Sequence, residues 1–142
     1  MKKRAAIILG IIIILIVFAV VWWNSPTSFL KSVNVDAVAV IYVRDGHTGS
    51  RFEVENREDI IYIVENIQKI SFRKNGVSLF RMGTWFTLSF CDENGRKISE
   101  FIVNSDSDIR RDPFFYNAAA GNMDIVDYLS MLETASDEAV SK

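Results

Sequence analysis

Between Ala5 and Trp23 the chain runs AAIILGIIIILIVFAVVWW, with no charged residue and no hydrogen-bonding side chain except two indoles. As a helix rising 1.5 Å per residue, these residues measure roughly 28 Å, close to the ~30 Å hydrocarbon core of a bilayer. The run therefore predicts a single transmembrane segment, and whatever follows it must lie on one side of the membrane.

A basic leader before an apolar run also describes a secretory signal. The run is longer than the ~7–15 residues of a signal peptide's apolar region. Its exit, Ala19-Val20-Val21-Trp22-Trp23, offers no small-x-small cleavage site and no cysteine for lipid attachment. An uncut signal-anchor is the reading that fits. Trp22 and Trp23 suit the membrane interface, where aromatic residues concentrate, and Lys2, Lys3 and Arg4 keep the N-terminus cytoplasmic. Ala6 and Gly10 form a small-xxx-small pair of the kind that lets two membrane helices approach.

Charge divides at this segment. Three of the 16 basic residues precede it and all 18 acidic residues follow it, leaving thirteen against 18, a formal charge of −5. A net acidic domain repels phosphates, which argues against nucleic acid or anionic lipid as a partner. Cys91 is the only cysteine of the 142 residues, so no internal disulfide can form and the fold depends on its core. A sheltered thiol within a strand is the expected state of Cys91.

The periodicity beyond the membrane predicts an α+β domain with a mostly antiparallel sheet and two helices. The expected organisation is a leader over 1–4, the span over 5–23, a linker over 24–32, the domain over 33–133 and a flexible tail over 134–142. Val33 to Arg44 alternates as a strand, Asp45-Gly46 starts a turn, and Phe52 and Val54 mark the returning strand of a hairpin. Ile60, Ile63, Val64 and Ile67 then take up helical spacing behind Asn56, a residue able to cap a helix N-terminus. A short strand is expected over Ile70 to Arg73, and a loop over Lys74 to Gly83 containing Asn75-Gly76. Thr84 to Cys91 and Lys97 to Val103 read as strands joined by a turn at Asp92-Glu93-Asn94-Gly95, the second with an ambiguous alternation that a bulge would resolve. Ile109 to Arg111 reads as a short edge strand, Pro113 to Ala120 as irregular and apolar, and Met123 to Glu133 as the second helix.

No motif with a defined chemistry stands out. His47 is alone and lies in the hairpin turn, so no multi-histidine metal site is available. Asn104, Asp106 and Asp108 begin like a calcium loop, but Ile109 and Phe115 occupy the positions that require glycine and glutamate. The expectation is a non-enzymatic chain without cofactor or metal. The aromatic residues Phe80 and Trp85, and the cluster Phe114, Phe115 and Tyr116, are candidates for binding a partner, because aromatic anchors dominate interfaces. The bland alternative is that they close the edge of a small core.

The stretch Glu55 to Ile61, with Gly83-Thr84-Trp85-Phe86 and Asp92 to Ile98, resembles small uncharacterised extracytoplasmic domains of Gram-positive Firmicutes that follow a signal-anchor or a lipid-attached leader. The resemblance implies a single α+β domain held at the membrane and carries over no catalytic residue. The reading is thus a membrane-tethered, extracytoplasmic protein-interaction module, its partner another membrane or surface protein. The alternatives are a small-ligand sensor or accessory subunit of a membrane complex, and an enzyme whose site is built from scattered residues.

Overall fold

The computed structural model describes residues 2–79, 81, 83 and 85–140. Helix α1 (Lys2–Asn24) is followed by strands β1 (Val40–Asp45) and β2 (Arg51–Val54), helix α2 (Arg57–Gln68) and strand β3 (Phe72–Val77). Strands β4 (Phe86–Cys91), β5 (Lys97–Ser105), β6 (Asp108–Arg111) and β7 (Phe114–Ala118) come next, and helix α3 (Val126–Val140) ends the fold. In α1, residues Ala6–Asn24 have a mean hydropathy of 3.1 and none of the span is buried, so the helix is long and apolar enough to cross a membrane.

The seven strands form one sheet in the order β2-β1-β4-β5-β6-β7-β3, and every pairing is antiparallel. Helix α2 carries the chain from one edge of the sheet, β2, to the other, β3. Asn56 caps it as expected, its side chain accepting from the amides of Glu58 and Asp59. The isoleucine stripe of α2 is buried together with Ile41 and Val43 of β1, Phe86, Leu88 and Phe90 of β4, and Val126 and Leu129 of α3. One sheet face is therefore the core. The other carries Tyr42, Arg44, Arg51 and Glu53 in the open.

Several expectations need correction. The segment Val33 to Ala39 is not strand: a 3-10 turn occupies Val35–Ala37, with Asn34 as its cap. Its neighbours' carbonyls are taken by α2, because Gln68 donates to Leu30 and Val33, and the Arg57 guanidinium donates to Val35 and Val38. The stretch 24–32 is not a free linker. Thr27 and Phe72 exchange two backbone hydrogen bonds of 2.8 Å, extending the sheet beyond β3, and Phe29 and Leu30 are buried in the core.

Strand β3 continues through Asn75-Gly76, where a register shift accommodates Gly76 at φ +150, a conformation that excludes most side chains. Strand β6 is interior rather than edge, because residues 114–118 form β7 beside it. Helix α3 starts at Val126, three residues later than Met123, since Asp124 has a φ of 55. The Asp106 carboxylate accepts from the amides of Ile125 and Val126 at this start. The helix runs on to Val140, through much of the stretch read as a tail. The ambiguous alternation of β5 has its bulge, a shift opposite Phe90 and Cys91.

Candidate functional site

Both helices of the domain pack on the core face, so the open face of β2, β1, β4 and β5 has no cover. A groove of about 440 Å³ lies there, lined among others by Tyr42, Arg44, Arg51, Glu53, Ser89 and Glu100. The lining has an acidic row and a basic row because the outward residues of adjacent strands face one another in register: Tyr42 opposes Glu53 and Ser89, Ser89 opposes Glu100, and Arg44 opposes Arg51. Hydrogen bonds from Lys97 and Ser89 hold the Glu100 carboxyl below its usual range, so Glu100 is an ionised acceptor at neutral pH. Ser89 has no histidine beside it, and His47 sits in the β1–β2 turn instead, its ring edge-on to Trp85. This arrangement presents donors and acceptors of both signs to a polar partner.

The second feature is the junction of α1 with the sheet. Trp22 and Trp23 each pack edge-on against Phe114, at 5.7 and 5.8 Å between ring centroids. The Lys74 ammonium lies 4.3 Å from the Trp22 ring and donates to the Trp22 carbonyl at 3.1 Å. A cation at the carbonyl end of a helix complements the helix dipole, and the indole face adds cation–π attraction. Helix α1 is thus fixed to β3 and β7.

The aromatic candidates do not share a surface. Phe80 lies outside the described residues. Trp85 is exposed at the start of β4, three strand spacings from β7, roughly 14 Å. In β7, Tyr116 is buried against Phe29, Phe114 meets the α1 tryptophans, and Phe115 is half-buried on the open face under the Arg110 guanidinium. Two of the three thus belong to the core side. Ala6 and Gly10 lie on the bare length of α1, and a Cβ at Gly10 would meet nothing within 4 Å.

The remaining candidates have structural tasks. Cys91 is buried, and burial raises its thiol pKa. Asp106 caps the start of α3, and Asn104 donates to Asp108 at 2.7 Å. Among the described residues no group of acidic, histidine or cysteine side chains is arranged to hold a metal ion. Sequence reasoning passed over Lys74, Phe29 and Tyr42. Lys74 carried a signal, as part of a run from Asn66 to Cys91 that contains four basic residues and no acidic one, and Tyr42 carried one as an outward residue of the alternation from Val33 to Arg44.

No protein-family model, curated protein or solved structure matches the chain.

Proposed function

We propose that the chain is a single-span membrane protein whose α+β domain stands outside the cell membrane and binds another membrane or surface protein through its open sheet face. The observation that carries this is the junction. An apolar helix of spanning length is joined to the domain by packed aromatic rings and by Thr27 in the sheet, not by a free linker. A domain fixed to its anchor has a constant orientation, and confinement near the membrane raises its effective concentration towards neighbours there. Both domain helices leave the same sheet face bare, and that face carries Tyr42, half-buried Phe115 and the mixed-charge groove.

Topology and contact are tested separately. A membrane-impermeant thiol reagent should label Asn94→Cys on intact cells and Lys2→Cys only after lysis; the reverse pattern would place the domain inside. A photo-crosslinking residue at Tyr42 should capture a defined protein neighbour that the same residue at Asp127, exposed on α3, does not. Equal capture from both positions, or none from Tyr42, would remove the open face as the interface.

A further inference from the structure

Two adjoining hollows open beside the α1 junction. One, of about 510 Å³, is lined among others by Ser28, Lys31, Ser32, Ser99 and Arg111. The other, of about 500 Å³, shares Ser28 and Lys31 and adds Gln68, Lys69 and Ser71. Three cationic side chains and several hydroxyls thus line this region, and no Asp or Glu lines either hollow. Among the described residues Lys31 and Arg111 form no ion pair, and both are exposed. Unpaired cations gathered on a domain with a formal charge of −5 mark a place built for a negative group. The Arg guanidinium fork matches phosphate oxygens bidentately, the Lys ammonium adds a point charge, and hydroxyls donate further bonds.

Position selects the source of that phosphate. Ser28 and Lys31 follow the end of α1 within seven residues. Arg111 is the cross-strand partner of Phe114, whose ring rests on Trp22 and Trp23. Val77, the other neighbour of Phe114 in the sheet, is 52% exposed and adds apolar surface there. With α1 spanning the bilayer and its tryptophans at the interface, the hollows lie at headgroup level.

We propose that these hollows bind the phosphate of an anionic phospholipid headgroup, seating the domain on the bilayer beside its own anchor. The assignment rests on the reading of α1 as a membrane span. Each basic residue held at an anionic surface strengthens attachment roughly fivefold, so Lys31 and Arg111 together contribute about 25-fold.

The test uses the full chain in nanodiscs of phosphatidylcholine, alone or with phosphatidylglycerol in equal parts. An environment-sensitive fluorophore is placed at Ser32→Cys, or at His47→Cys in the β1–β2 turn; buried Cys91 stays unlabelled. The label at 32 should be several-fold less accessible to a neutral aqueous quencher in the anionic discs than in the zwitterionic ones. The label at 47 should be equally accessible in both. Lys31→Glu with Arg111→Glu should abolish the difference, and so should Lys31→Gln with Arg111→Gln, which avoids charge reversal. Equal quenching at 32 in both lipids, or protection that survives these substitutions, would overturn the proposal. Protection at 32 produced by inorganic phosphate in zwitterionic discs would assign the site to a soluble anion and overturn the lipid. A chain that enters discs of neither composition would overturn the spanning reading, and this inference with it.

Discussion

Asp45 closes β1 with its carboxylate turned back into the hairpin, where it accepts from the amide of His47 at 2.5 Å and from that of Thr48. Burial raises its pKa, but the amide bonds outweigh that effect and leave it lowered. A carboxyl with a depressed folded pKa stabilises the fold fully above its unfolded value of about 3.9, and that contribution is lost as pH falls through the folded value. Melting temperature should therefore fall on acidification below about pH 4, and less steeply in Asp45→Asn, as thermal melts across that range would show. Tyr128 has the opposite sign. Its hydroxyl donates to Asp59 at 2.5 Å, and this bond, with burial, pushes its pKa up to about 12. Its contribution is complete below about 10 and lost as pH rises through the folded value. An alkaline absorbance titration should show a tyrosine component near 12, which Tyr128→Phe diminishes.

At the scale of elements, α2 was legible because its signals are local: a capping Asn56, acidic residues in the first turn and apolar residues three and four apart. Asn56→Ala should cost about 1 kcal/mol by denaturant unfolding, the usual loss when a cap leaves amides unpaired. Strand β7 was not legible, and the reason is physical. Phe114, Phe115 and Tyr116 are all at least half-buried, Phe114 under α1, Tyr116 in the core and Phe115 under Arg110, so no polar alternation remains to betray a strand. In β3, Asn75-Gly76 carries the chemistry of a turn yet forms a bulge, because cross-strand pairing with β7 overrides local preference. The open face was only half legible. Tyr42 was visible as the outward side of β1, but its juxtaposition with Glu53, Ser89 and Glu100 depends on strand order. The junction invites a further test. Phe114→Ala should leave the sheet folded and loosen α1 from it, broadening the distance distribution between spin labels at Ile11→Cys and His47→Cys. A distribution of unchanged width would show that Phe114 does not fix the helix.

Over the whole molecule, the question is where the domain begins. Its apolar periodicity starts at Val33, and the polar run Asn24 to Ser32 has the composition of a tether. Phe29 and Leu30, adjacent within that run, form no periodic pattern that announces their burial. In the fold the Phe29 ring meets Phe72, Phe101 and Tyr116 with centroids 5.1–5.3 Å apart, joining residues of three strands at one point of the core. Removing buried Phe and Leu side chains costs roughly 3–5 and 2–5 kcal/mol respectively. Losing Phe29 and Leu30 together thus approaches the total stability of about 5–15 kcal/mol that a domain of this size possesses. Losing everything before Val33 would also strip the Thr27 hydrogen bonds from the β3 edge and the Leu30 carbonyl from Gln68. A truncation starting at Asn24 should therefore melt cooperatively by circular dichroism, whereas one starting at Val33, which keeps every strand and both domain helices, should show no cooperative transition. If the shorter chain melted like the longer one, Phe29 would be a passenger, and the domain would hang from α1 on nine free residues. The cooperative loss expected instead makes α1 and the domain one mechanical unit, in which a shift of α1 reaches the core through Phe29 and the sheet through Phe114.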